Sequence, residues 1–444
     1  MINMFSRSYL KLALLLFLFM SLALFMPIQS QEVLELGKKE EYRLEIEEVK
    51  TYEFSLDFKL EKYTAITPSL EVDLNRDQVL KIFACSGPRP KPGVYLYRGD
   101  DLIAENPLLI HVGYWYRLIV RSDGKKTTVE MITLEDSIVG YVEIVPSLFI
   151  QGLAFDGEYW YYTATSMIFK VDKNGKIVDY NDYPIPKELR EKGYFHLGDL
   201  EYYKGLLLIP IEKEGYVKPS IIAVYNAETL QLERYAYTSQ DHMPWLTVDD
   251  EGRVYSSEFE PVSEIYVYSL EEIKEGNEIK PVDVIKLNKP IQGVQGGAFY
   301  NGKLYFSVMD RKMYSVEPEK GVVEKLIDLP VVHEMEGIEV CELEDGTLYH
   351  ILVNTWGEEN IVFHYRKAQS GESIKLFEIE ESIPIGPVVK IRAGTPLAIK
   401  EPRVEELKVG AFDQIFMLVL GLVFTAMLAV IIIKKRKAPL QHLR

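Results

Sequence analysis

Short runs of alternating apolar and polar residues, broken by turn residues, fill most of the chain between residues 51 and 379. Tyr52-Glu-Phe-Ser-Leu-Asp-Phe58 sets Tyr, Phe, Leu and Phe on one face of an extended strand. Comparable runs occupy 78–83, 93–97, 108–112, 114–120 and 127–133. Gly87-Pro88, Lys91-Pro-Gly93, Gly99-Asp-Asp101 and Asp123-Gly124 separate them as turns. Strands this short at this spacing predict an antiparallel β-sandwich over residues 32–136.

Beyond it the pattern repeats. Gln151-Gly-Leu-Ala-Phe-Asp-Gly157 has counterparts opening at Gly198, Trp245, Gly296 and Gly337, at intervals of 46, 47, 51 and 41 residues. Each opening strand meets a turn with glycine (Asp156-Gly157, Lys204-Gly205, Glu251-Gly252, Asn301-Gly302, Asp345-Gly346) and then a second strand rich in Tyr, Leu, Val and Ile. A period of roughly 40–50 residues built from hairpins is the signature of a β-propeller blade. The predicted fold is therefore all-β: a five-bladed propeller over residues 140–380 behind the sandwich. Residues 142–144 or 374–379 are expected to complete a blade and close the ring. A sixth blade stays open if 372–400 folds as a degenerate one. Residues 381–410, with Pro384, Pro387, Pro396 and Pro402, read as a stalk.

The two ends change the picture. Residues 1–30 carry Arg7 and Lys11, an apolar run from Leu12 to Met26 and Ser30, the layout of a secretory signal, with an uncleaved anchor as its rival. Residues 411–433 contain an uncharged run from Ile415 to Ile433, long enough to cross a bilayer, and Lys434-Lys-Arg-Lys437 opens a cytoplasmic tail over 434–444. These features predict a single-pass protein of the cell membrane with an extracellular N-terminal ectodomain. The termini supply +2 and +4 of a net charge of −17, which leaves −23 on the ectodomain. Such a field repels phosphate backbones and excludes nucleic acid as a partner. Cys85 and Cys341 fall in different predicted domains and read as unpaired thiols.

Candidate chemistry follows from ring geometry. The loops leading into the inner strands and those leaving the second strands open on one face, around the channel. The first set supplies Gln151, His196, Asp199, His242, Trp245, Gln295, His333, Glu334 and Glu336; the second supplies Glu212, Glu258, Asp310, Asn354 and Trp356. Three of the seven histidines precede inner strands. His196 with Glu336 could ligate a metal, and the Glu, Gln and Asn oxygens could hold Ca²⁺ or another divalent cation. Structural bonding to neighbouring blades is the competing reading, strongest for Gln151 and Gln295. No Gly-x-Ser-x-Gly, Walker or dinucleotide motif occurs.

Phe149-Ile-Gln-Gly-Leu-Ala-Phe-Asp-Gly-Glu-Tyr-Trp-Tyr resembles the Phe-Thr-Gln-Gly-Leu opening of glutamine cyclotransferase-type propellers, which convert N-terminal Gln to pyroglutamate. It departs from them in having His196-Leu-Gly-Asp where they carry Gly-Glu-Gly segments. Glu334-Met-Glu-Gly-Ile338 resembles the Glu-Gly-Ile of SdiA-regulated and phytase-like propellers, and gluconolactonase-like propellers place a comparable glutamate on a metal. That resemblance implies Glu336 as a ligand. The runs at 53–60, 116–124 and 127–131 resemble concanavalin-like (laminin-G-like) sandwiches.

The leading expectation is a surface binding module. Its mouth, lined by Gln151, Asp199, Glu212, Trp245, Glu258, Gln295, His333 and Trp356, would take a glycan, peptide or protein. The alternative is a cation-dependent hydrolase or glutamine cyclotransferase-like enzyme using Glu336, His196 and His242.

Overall fold

The computed structural model describes residues 32–38, 40–64, 67–84, 91–329 and 333–407. The expected signal (1–30), membrane span (411–433), tail (434–444) and Cys85 lie outside the described residues. Among the described residues no helix is long and apolar enough to cross a membrane.

Two sheets form the sandwich. One runs Val33–Leu36, Leu397–Lys400, Thr51–Leu60, Trp115–Asp123, Thr127–Thr133, Ser373–Ile379, with Arg403–Glu406 also on Thr51–Leu60. The other runs Glu41–Glu45, Val388–Ala393, Leu70–Asp73, Gln78–Phe83, Gly93–Arg98, Asp101–Asn106. Tyr52, Phe54, Leu56 and Phe58 point into the core between them with Leu80, Leu96, Leu118, Val389 and Ile391. Alternation within Thr51–Leu60 is what lets one face of the strand pack while most of the other stays partly exposed.

The C-terminal segment corrects the reading of 381–410 as a stalk and of 372–400 as a blade. Val388–Ala393 lies between Glu41–Glu45 and Leu70–Asp73, and Leu397–Lys400 between Val33–Leu36 and Thr51–Leu60. Its alternating burial, Val389, Ile391 and Ala393 inward, is the same strand chemistry as at the N-terminus. The prolines fall in the connections between these strands, where no ladder hydrogen bond is lost.

Residues between the two halves of the sandwich form five sheets, antiparallel except where Asn277–Glu278 pairs parallel with Leu232–Tyr237 at the edge of the second. The first blade is Gly152–Phe155, Tyr159–Thr163, Ile168–Asp172, Ile177–Asn181. The second has Tyr194–Leu197 and Glu201–Tyr203 side by side on Leu206–Lys213, then Ile221–Asn226 and Leu232–Tyr237. The third is Leu246–Val248, Arg253–Ser256, Val262–Ser269, Asp283–Ile291, and the fourth Val294–Tyr300, Lys303–Val308, Lys312–Glu317, Val322–Asp328. The fifth is Glu334–Val340, Tyr349–Asn354 and Glu359–Ala368, completed by Ser137–Pro146 from before the first blade. That strand closes the ring, and Leu108–Leu109 of the sandwich pairs with its outer edge.

The inner strands touch in cyclic order: Gly152–Phe155 on Glu201–Tyr203, that on Leu246–Val248, then Val294–Tyr300, Glu334–Val340, and back to Gly152–Phe155. This closed cycle makes the arrangement propeller-like. At its centre lies Asp199, with no solvent exposure. Its carboxylate accepts N–H bonds from Leu153 of the first blade (3.2 Å), Leu200 of its own (3.1 Å), Gly297 of the fourth (3.1 Å) and Ile338 of the fifth (3.2 Å). Its own N–H is donated to Pro244, which leads into the third blade. One residue thus bonds all four other blades. Gly152, Gly296 and Gly337 surround it because a Cβ at any of them would collide with the Asp199 side chain.

Below Asp199 two more acids are buried on the axis. Glu201 accepts from the Thr247 hydroxyl of the third blade, and Glu339 from the Phe155 N–H of the first. Burial pushes the Asp199 and Glu201 carboxyls well above the usual carboxylate range, with the N–H and O–H donors pulling the other way. Burial pushes Glu339 up to about 7.

Two outcomes are expected. Asp199→Ala strands four buried N–H groups; at about 1–3 kcal/mol each, the loss should be roughly 4 kcal/mol or more in denaturant unfolding, and a loss under about 1 kcal/mol would contradict the axial role. Glu339 binds its proton more readily folded than unfolded, so its contribution grows as pH falls from about 7 through 4.5. The thermal midpoint of Glu339→Gln should therefore fall relative to the parent between pH 7.5 and 4.5, whereas a constant difference would refute it.

Candidate functional site

Antiparallel register brings the first two site residues together. His196 on Tyr194–Leu197 sits directly opposite Glu212 on Leu206–Lys213, and its Nδ1 lies 3.0 Å from Glu212 Oε2. His242, on the loop into the third blade, places Nε2 3.7 Å from Glu212 Oε1. Glu212 is fully buried while both imidazoles keep some exposure, and its Oε1 has no hydrogen-bond partner. A carboxylate only accepts, so it holds the His196 proton on Nδ1 and leaves Nε2 as a free acceptor.

Aromatic rings fix the second histidine. Tyr216 stacks on His242 at 4.1 Å between centroids and meets His196 edge-on at 6.0 Å; Phe259 packs on His242 at 4.7 Å. The Glu258 carboxylate accepts the N–H groups of Asp241 (3.2 Å) and His242 (2.9 Å), which pins the loop. Burial holds the His242 imidazole below its ordinary range, against the pull of Glu212. Burial also raises Glu258.

Two further carboxylates belong to the fifth blade. Glu334 Oε1 accepts from Gln295 Nε2 of the fourth blade at 2.8 Å. Glu336 is nearly buried, bonds the Asn354 side chain, and is pushed well above the carboxylate range by burial and by the Glu334 charge. Burial first, then the charges of Glu212, Glu336 and Glu334, raises the Tyr216 hydroxyl above its ordinary range. Trp356, two residues after Asn354, stands open to solvent and donates its backbone N–H to Asn354 Oδ1.

Several expected residues are placed otherwise. Asp199 is not on the rim but on the axis, because the glycines around it leave room for a carboxylate and nothing more. Trp245 is wholly buried, its ring against Gly297 and Phe306 and its Nε1–H on Ser257, so it offers no stacking surface. Gln151 is half-buried and gives its N–H to Thr163 within its own blade. Gln295 does bridge two blades, but through the Glu334 side chain and not through backbone. His333 is partly buried at the lip, next to residues outside the described set. Among the described residues no group of three or more His, Cys, Asp or Glu is placed to hold a metal ion.

Two features were not anticipated. Tyr216 and Phe259 line the mouth, and only the long 213–219 and 257–261 loops hinted at them. On the opposite face a buried chain runs from the Cys341 carbonyl to His350 Nε2 (2.9 Å), from His350 Nδ1 to His364 Nδ1 (2.8 Å), and from His364 Nε2 to Glu143 (3.2 Å). It ends in a cleft of about 380 Å³ between Tyr141, Phe155, Trp160 and the 342–345 turn. Burial depresses His350 to about 3.

No protein-family model matches the chain, and no curated protein matches it. Similar solved structures include glutaminyl cyclase of Myxococcus xanthus, at 14% identity over 55% of this chain and 99% of that one, TM-score 0.40. The PQQ-bound aldose sugar dehydrogenase of Streptomyces coelicolor matches at 10% identity over 52% and 98%, TM-score 0.31. A Bacteroides caccae protein of unknown function matches at 10% identity over 70% and 99%, TM-score 0.33. The ring itself rests on this chain's own strand pairings and inter-strand contacts.

The dyad sets an observable. In ¹⁵N-resolved imidazole spectra His196 should populate the Nδ1–H tautomer, and Glu212→Gln should shift it toward Nε2–H. An unchanged tautomer in the variant would show that Glu212 does not orient the ring.

Proposed function

We propose that this is a membrane-anchored extracellular protein whose five-bladed propeller presents its channel mouth as a binding site for a glycan, peptide or protein. One observation carries the reading. A fully buried carboxylate, Glu212, keeps an oxygen without a donor behind two imidazoles that solvent reaches, next to the partly exposed Tyr216 ring. An orphan acceptor of this kind costs stability unless an incoming N–H or O–H satisfies the cluster. The signal-like residues 1–30 and the apolar run in 411–433 support placement of the mouth outside the cell.

A second reading is favoured by the same dyad. His196 Nε2 is an acceptor oriented by a carboxylate, the arrangement of a general base. It would take a proton from a bound O–H or N–H while Glu212 steadies the imidazolium, with His242 as the neighbouring acid or donor. Hydrolase and glutamine cyclotransferase-like chemistry both belong to this class. A cation-dependent version finds no preformed set of three ligands among the described residues.

Screening the whole chain in detergent against oligosaccharides and peptides separates the two. For a binding module, a ligand should bind without being altered, and His196→Ala should weaken it at least tenfold. For an enzyme, product should accumulate and His196→Ala should lower kcat with little change in KM. Ligand binding indifferent to both His196→Ala and Glu212→Gln would overturn the mouth as the site.

A further inference from the structure

Large apolar side chains open to solvent ring the mouth. Trp356 is 75% exposed, Val217 52%, Leu148 50% and Met309 47%. Trp356, Val217 and Met309 follow second strands of the fifth, second and fourth blades, and Leu148 precedes the inner strand of the first. All four therefore stand at the same end of the ring. Trp356 holds a φ of 56°, a left-handed backbone angle that a bulky residue rarely adopts, and lifts its indole away from the core. A rim spread over four blades is more than a small molecule seated at Glu212 would cover. Within the rim Glu212 and Glu258 meet His242, which stacks on Tyr216, and Glu334 and Glu336 stand at the start of the inner strand of the fifth blade, Glu334 on Gln295 of the fourth.

On the reading of the mouth as a binding site, we propose that its partner is a polypeptide that lays apolar side chains on this rim and inserts one arginine side chain into the mouth. Charge selects the cation. Among the described side-chain bonds the mouth acids meet imidazoles and neutral amides, His196 and His242 at Glu212, Gln295 at Glu334 and Asn354 at Glu336, and the −23 ectodomain draws basic segments toward it. Shape selects guanidinium over ammonium. Its flat face stacks on an aromatic ring such as Tyr216, its five N–H groups suit several acceptors at once, and it sheds water more readily. Aromatic and aliphatic neighbours of the arginine would cover Trp356, Met309 and Leu148, an apolar anchor around a polar centre.

The test is a random dodecapeptide display library panned on the whole chain in detergent micelles, beside Glu212→Gln and Trp356→Ala, with thermal midpoints recorded for each. The expected selection is arginine flanked by aromatic or aliphatic residues. A synthetic copy should lose at least tenfold on either variant, and at least tenfold when citrulline replaces arginine. Agmatine alone should compete with the peptide and bind Trp356→Ala as well as the parent. If Glu212→Gln does not fold, Tyr216→Ala carries the same expectation. Selected peptides without arginine, or binding indifferent to Trp356→Ala, overturn the polypeptide proposal. A neutral oligosaccharide whose binding needs His196 would overturn it too, while leaving the mouth intact as a site. If nothing bound depends on His196 or Glu212, both readings fall together.

Discussion

One carboxylate ties the ring together. Asp199 sits where five inner strands converge, and inner strands at the centre of a ring cannot pair with one another as strands in a sheet do. Their N–H groups at Leu153, Gly297 and Ile338 would be buried without acceptors. A single carboxyl group, with two N–H groups on each oxygen, satisfies them together with Leu200. Removing one partner of such a buried network costs far more than its bonds contribute on average. The glycines at Gly152, Gly296 and Gly337 follow from the same constraint, since the carboxylate occupies the space a side chain would need.

The axial acids also separate two kinds of carboxylate that look alike in the chain. Asp199, Glu201 and Glu339 are consumed in holding blades. Glu212 is equally buried but half satisfied, and its bonds go to imidazoles and not to backbone. Those axial acids end with backbone or hydroxyl donors on them, whereas Glu212 keeps an open acceptor behind solvent-reached rings, the feature on which the proposed binding site rests. That contrast, and not the number of acids at the mouth, singles out Glu212 with His196 and His242.

Closure of the ring is coupled to closure of the sandwich. Ser137–Pro146 is the outer strand of the fifth blade and follows directly on Thr127–Thr133, while Ser373–Ile379 returns from that blade to pair with Thr127–Thr133. The chain therefore enters and leaves the ring at one place, and the sandwich is finished only after the last blade is made. Val388–Ala393 and Leu397–Lys400 then fill gaps inside both of its sheets. The mouth is thus carried on a ring clamped by strands from both ends of the described chain.

Period and alternation determined much of this without coordinates. The hairpin repeat located the five blades and their mouth, and it drew His196, Glu212 and His242 into one short set of candidates. That a strand from one end completes the ring was legible too, but 142–144 and 374–379 were equal choices; the structure uses Ser137–Pro146 and sends Ser373–Ile379 back to the sandwich. What the repeat could not distinguish was direction within a register. Asp199 and Glu212 both stand at blade ends, yet one turns onto the axis and the other toward the mouth, as inter-blade N–H groups at distant positions dictate. Trp245 went inward because Gly297, fifty-two residues later, leaves a gap the size of an indole. The C-terminal strands were hidden for the same reason: pairing across more than 300 residues, as between Leu44 and Val389, leaves no mark on local spacing. Local pattern decides which residues can be strands and which face is apolar; only the assembled ring decides which polar group finds its partner and which is left open.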